Sequence, residues 1–228
     1  MQIPSSLREE KIMSFKTLLQ EDMQEFTINK SRFLGYGCPC SCEEDALKFI
    51  EKIRRRHSDA THNCYAYIIG ENSGIMRYSD DGEPGGTAGQ PILEVLRKRG
   101  VVNCAVVVTR YFGGILLGAG GLVRAYTQGA IAALNASKVI SMEETVRYLI
   151  EVDYSTWQRL SYFLSHFPCL TEQSEFGVTV VSNVLVREQD SATFLESVTR
   201  LSDGRAEILP EEKLFYAWQD PPAQSKCI

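Results

Sequence analysis

The segment Arg110-Tyr-Phe-Gly-Gly-Ile-Leu-Leu-Gly-Ala-Gly-Gly-Leu-Val-Arg124 places a glycine-rich bend between two arginines. Gly113, Gly114, Gly118, Gly120 and Gly121 bare the backbone where a helix is expected to begin. The first N–H groups of a helix have no intrahelical partner, so such a bend suits a phosphate or another anion, with Arg110 and Arg124 adding positive charge. It is not a Walker A loop, because no Lys-Ser/Thr follows Gly118. Nor is it the dinucleotide fingerprint, because Val123 stands where the third glycine belongs. Tight turns and close helix–sheet packing would explain the same glycines without a ligand.

A second segment, Ser79-Asp-Asp-Gly-Glu-Pro-Gly-Gly-Thr-Ala-Gly-Gln-Pro91, offers Asp80, Asp81 and Glu83. Three carboxylates on a loop could hold Mg²⁺ with water, provided that they converge. The same residues would equally cap and charge-stabilise a helix beginning near Thr87. A third, His57-Ser-Asp-Ala-Thr-His-Asn-Cys64, brings imidazole and thiol together. His62 and Cys64 stand two apart on an expected strand, so they share a face without having to touch. A cysteine in that setting is more often a small core residue than a nucleophile. Cys38-Pro-Cys-Ser-Cys42 lacks the spacing and the fourth ligand of a zinc site. Arg54-Arg-Arg56 and Arg97-Lys-Arg99 suit the negative ends of two helices, and together could steer RNA or an acidic protein surface. No metal and no cofactor is called for.

The elements that would position these residues follow from pattern. Residues 25–37 read as one strand, and residues 43–57 as a helix with Ala46, Leu47, Ile50 and Ile53 at helical spacing. Strands are expected at 64–70 and 75–79, then a helix from Thr87 that stops at Gly100. Residues 103–110 give the strongest buried-strand signal, and an Ala-rich helix follows the glycines to about Ser137. From residue 141 the order becomes β-α-β-β-α-β, the ferredoxin-like arrangement, with Ser155 as the cap of its first helix. Four parts result: an extension with the first strand region at 1–24, a domain at 25–140, a second at 141–211, and a loose tail at 212–228. Residues 1–12 could precede an alternative start at Met13.

The 228 residues suffice for two modest domains, and the 44% apolar and 23% charged fractions are those of an ordinary soluble protein. No apolar run is long enough to span a bilayer and the N-terminus has no signal-like core, so no membrane partner is expected. Seven cysteines without an export signal point to free thiols in the cytoplasm. The net charge of −5 is uneven: residues 1–140 carry 17 Lys and Arg against 15 Asp and Glu, and residues 141–228 carry 7 against 14. Phosphates would be repelled by the second half, so any nucleic-acid contact belongs to the first; DNA is not expected.

Three stretches, DATHNCYAY at 59–67, SDDGEPGGTAGQPILEVL at 79–96 and VVVTRYFGGILLGAGGLVRAY at 106–126, resemble the bacterial YigZ branch of the IMPACT family. The resemblance covers about residues 26–137. It implies an α+β protein with an N-terminal ribosomal-protein-S5-domain-2-like domain and a C-terminal ferredoxin-like, elongation factor G-like domain. Eukaryotic relatives regulate translation initiation through an additional N-terminal domain, for which this chain leaves no room. The implied function is a cytosolic binding or regulatory protein associated with translation, with RNA, the ribosome or a translation-related protein as partner and no established catalysis. Its face would be built from the Asp80–Gln90 loop with Asp81 and Glu83, the Gly113–Arg124 segment with Arg110 ahead of it, and the His62 strand. The alternative is a metal-dependent hydrolase or phosphoryl-transfer enzyme that uses the first-domain loop, with His62 or Cys64 as acid–base or nucleophile.

Overall fold

A computed structural model describes residues 14–218, in two compact units that divide between Ser141 and Met142. The first unit begins with the short strand β1 (Ser14–Leu18), whose Lys16 carbonyl accepts from the Val102 N–H. Its main sheet holds β2 (Asp22–Ile28), β3 (Ser31–Pro39), β4 (His62–Ile69), β5 (Ile75–Ser79) and β6 (Cys104–Tyr111) in the order β2-β3-β6-β4-β5. Every neighbouring pair is antiparallel. Helix α1 (Glu43–Arg56) covers one face, while α2 (Gly89–Arg99) and α3 (Gly118–Ser137) cover the other. Central strand β6 is therefore buried on both sides, which is why its sequence is a continuous apolar run. Val106 and Val108 join the core under α2 and α3, and Ala105 and Val107 the core under α1.

The single strand expected at 25–37 is two strands. Asn29 and Lys30 both have positive φ, 45° and 63°, the backbone of a tight two-residue hairpin turn. Asn-Lys lacks the glycine that advertises such a turn, so the sequence reads as continuous.

The close seat of α3 decides where its side chains reach. A Cβ on Gly35 of β3 would lie 2.2 Å from the Gly129 carbonyl oxygen of α3. Glycine at Gly35 thus lets a helix backbone lie directly on a strand, and Tyr126, one turn earlier, enters the core beside Phe33.

The second unit runs β7 (Val139–Val152, whose first residues belong to the first unit), α4 (Tyr154–His166), β8 (Cys169–Phe176), β9 (Val180–Arg187), α5 (Ser191–Leu201) and β10 (Glu207–Tyr216). Its strands order as β10-β7-β9-β8, all antiparallel, the ferredoxin-like arrangement. The α4 cap is Asp153, whose Oδ1 accepts from the Thr156 N–H at 2.7 Å, and not Ser155, which itself donates to that carboxylate. The chain also stays ordered beyond the expected tail boundary. A bulge between Pro210 and Glu212 carries β10 past the proline to Tyr216, and the Trp218 indole donates to Thr145 Oγ1. The question of residues 1–12 lies outside the described residues, as does the tail from residue 219.

Candidate functional site

Register brings the chemistry of the first unit together. Arg110 on β6 lies opposite Phe33 of β3 and His62 of β4. All three project from the face under α3, where the loop between β5 and α2 delivers Glu83.

Asp80 shapes that loop. One carboxylate oxygen accepts from Ala88 and Gly89 N–H at 3.0 and 2.8 Å, and the other from Gly86 N–H at 2.8 Å. This is the negative end-group that the start of α2 needs. Asp81 accepts from the Asn63 N–H at 2.6 Å and from Arg54 Nη2 at 3.0 Å. Asp80 is thus committed to the loop itself and the start of α2, and Asp81 to holding the loop against β4 and α1. They neither converge with Glu83 nor line the cavity below, so the Mg²⁺ arrangement does not form. Among the described residues no three His, Cys, Asp or Glu side chains gather as a metal site.

Glu83 is buried, and its Oε1 accepts from Arg110 Nη1 and from the Tyr126 hydroxyl, both at 2.7 Å. Burial pushes the Tyr126 hydroxyl far above its ordinary value, with Cys64 and Glu83 adding to the shift, so it stays a donor. Arg110 is itself only 5% exposed, with Nη2 3.5 Å from Ser31 Oγ and its guanidinium flanked by the rings of Phe33 and Phe112. The arginine expected to bind an external anion is thus neutralised by an internal one. Cys64 is wholly buried and its Sγ donates to the Asp80 carbonyl at 2.9 Å; burial pushes the thiol well up, which leaves it inert.

His62 completes the group. Its Nδ1 lies 2.8 Å from the Asp81 carbonyl oxygen. A carbonyl only accepts, so Nδ1 carries a proton, and Nε2 is an acceptor whenever the ring is neutral. Nε2 faces Glu83 Oε2 across 3.8 Å, too far for a hydrogen bond. Among the described residues no hydrogen bond engages either atom.

Both atoms belong to residues that line a cavity of about 400 Å³, together with Arg110, Thr61, Pro84, Phe112, Leu116, Leu117, Leu122 and the first residues of α3, Gly118 and Ala119. Phe112 and Leu116 are exposed at its mouth, 45% and 86%. Of the residues singled out from sequence, His62, Glu83, Arg110 and Gly118 meet here. Gly113 instead packs against the Lys30 backbone, and Gly114 forms a turn at φ 81°. Gly120 and Gly121 lie in the first turn of α3 away from the cavity wall, and Arg124 is exposed further along that helix. Sequence reasoning did not single out Tyr126, Phe112 or Leu116 as individual site residues. The available signal was an aromatic and three aliphatic residues set inside a glycine run, where turn chemistry alone would favour polar residues.

Residues 29–134 match the Impact N-terminal domain, and residues 150–205 match a domain of unknown function, DUF1949. The IMPACT family member YvyE of Bacillus subtilis is 40% identical over 203 residues, covering 89% of this chain and 93% of that one. The IMPACT family member YigZ of Escherichia coli is 34% identical over 82% of this chain and 92% of its own. Protein IMPACT of Oryctolagus cuniculus is 36% identical over 97 residues, 40% of this chain and 30% of that protein. A crystal structure of a hypothetical protein superposes with a TM-score of 0.56 at 32% identity, covering 88% of this chain and 98% of that one.

Proposed function

We propose, from the premise that the chain belongs to the IMPACT family, that its first unit is a binding module in the regulation of translation, acting in the cytoplasm on RNA or on a protein of the translation machinery. The observation that carries this reading is the cavity beneath α3. It joins two polar atoms that no hydrogen bond among the described residues engages, Nε2 of the partly exposed His62 ring and Oε2 of Glu83, to an exposed apolar mouth at Phe112 and Leu116. A ligand with donors placed against these two atoms would gain hydrogen bonds that the protein itself does not make. The charge distribution supports the same unit: the balance is +2 over residues 1–140 and −7 over residues 141–228, from the counts given above. The enzyme alternative loses support because Asp80 and Asp81 are bound by backbone N–H groups and Cys64 is an inert core thiol. No described helix is long and apolar enough to cross a membrane.

The test is capture from a cell lysate, with and without nuclease, using exposed variants. Arg110 is unsuitable because its loss strands Glu83 in the core. Phe112→Ala and Arg124→Ala alter the mouth and the outer face of α3 and leave the core intact. The expected result is recovery of ribosomal subunits or translation factors that both changes reduce. Equal recovery by the wild type and both variants would sink the reading.

A further inference from the structure

We propose that the cavity beneath α3 is a nucleobase pocket that reads one unpaired base of single-stranded RNA and prefers guanine. The proposal rests on the reading of this cavity as a binding site and names what enters it. Its carrying observation is the fork formed by Glu83 Oε2 and His62 Nε2, 3.8 Å apart. The Glu83 side chain is 3% exposed, and its Oε1 is already saturated by Arg110 and Tyr126. With the His62 ring neutral, the free oxygen and the free ring nitrogen both accept, so an occupant of the fork brings two donors side by side.

Guanine does so: N1–H and the N2 amino group are adjacent on its Watson–Crick edge. Adenine and cytosine each offer one amino group next to an acceptor nitrogen. Uracil offers a single N–H between two carbonyls, which would face the carboxylate. Reading an extruded base by its Watson–Crick edge while an aromatic side chain holds its face is the usual way proteins recognise unpaired nucleotides. Phe112 supplies that face. Its ring is 45% exposed, with the Arg110 guanidinium 5.5 Å from the ring centroid. Leu116 and Leu117 widen the apolar wall, and at about 400 Å³ the cavity is of small-molecule size. The attached phosphate falls to Gly118 and Ala119, which line the same cavity in the first turn of α3, where no side chain caps the helix.

The test is titration of the full chain with GMP, AMP, CMP, UMP and inorganic phosphate, followed by calorimetry or ligand-observed NMR. GMP is expected to bind most tightly, UMP most weakly among the nucleotides, and phosphate alone more weakly still. Phe112→Ala should weaken GMP by about tenfold, the loss of one stacking contact. Ala119→Asp puts a carboxylate where helices favour one. It should leave the thermal midpoint unchanged or higher and weaken GMP relative to guanosine. UMP binding as tight as GMP, phosphate as good as GMP, or an unaffected Phe112→Ala variant would each overturn the proposal. Nuclease-resistant capture of a translation factor with no nucleotide bound would also overturn it while leaving the regulatory reading standing. GMP binding without capture of any translation component would do the reverse.

Discussion

Arg110→Met is the change whose consequence the structure fixes most tightly. The Arg110 and Glu83 side chains are 6% and 3% exposed, and Nη1 meets Oε1 at 2.7 Å. Methionine fills much of the arginine stem's volume, so the main loss is the charge, which leaves a buried carboxylate with only the Tyr126 hydroxyl as donor. Removing one member of a buried pair costs about 3–5 kcal/mol, because the other ion keeps its desolvation penalty. Against a domain stability of roughly 5–15 kcal/mol, that is enough to bring the first unit near its threshold. Replacing both members behaves differently, since two apolar side chains leave no stranded ion. Arg110→Met/Glu83→Met should therefore recover most of the loss. The two units can be followed separately. Both tryptophans, Trp157 and Trp218, belong to the second unit, so their fluorescence reports that unit while urea unfolding by far-UV circular dichroism reports both. The expected result is a circular dichroism transition for the first unit moved to lower urea in Arg110→Met and largely restored in the double variant, with the tryptophan transition unmoved. A loss below about 1 kcal/mol, the scale of an exposed ion pair, would refute the buried-pair reasoning. So would a double variant no more stable than Arg110→Met.

Gly35→Ala should destabilise the first unit more than an ordinary core substitution, and denaturant unfolding checks it: the new Cβ would sit 2.2 Å from a backbone oxygen that cannot rotate away. Stability of the first unit should fall as pH drops below 6.5. His57 is buried between Tyr36 and Tyr111, and burial, then Arg56 and Arg32, lower its pKa from that value; the folded state therefore binds fewer protons than the unfolded chain, and a His57→Gln variant should lose the slope. The second unit has its own acid limit. Bonds from Ser155 and Thr156 hold the Asp153 carboxyl at about 2, below its usual 3.8, so stability present above 3.8 is lost as pH falls through about 2, read by Trp157 fluorescence and absent in Asp153→Asn.

How much of this was legible in the sequence depended on whether the signal was local. The β6 run, the α1 stripe and the Gly100 stop of α2 are patterns within a few residues, and each element lies where expected, although Leu47 of the expected α1 stripe is exposed and Phe49 is buried instead. The hairpin at Asn29-Lys30 was missed because its turn lacks glycine, and the end of β10 because a bulge carries the strand past Pro210. Within the site, His62, Glu83 and Arg110 were legible as chemically capable residues on suggestive segments. Their roles were not, because those depend on strand register across residues 33, 62 and 110 and on the depth at which α3 lies. An arginine beside glycines looks like an anion ligand until a glutamate 27 positions away in sequence proves to be its partner.

That pairing changes what the first unit offers a partner. With Arg110 and Glu83 cancelling each other, the cavity is an acceptor-rich apolar pocket and not a cationic one. The positive charge that remains lies on the surface. Arg54 is held by Asp81, Arg55 by Glu51 and Arg97 by Glu94, whereas no ion pair among the described residues engages Arg56, Lys98, Arg99 or Arg124. The two kinds of recognition are thus separated in space. Exposed cations supply attraction without sequence information, steeply weakened by salt, and the cavity supplies discrimination through hydrogen bonds and stacking that salt hardly touches. A module built this way can meet a polyanion loosely over its outer surface and grip it only where a base enters the fork between His62 and Glu83.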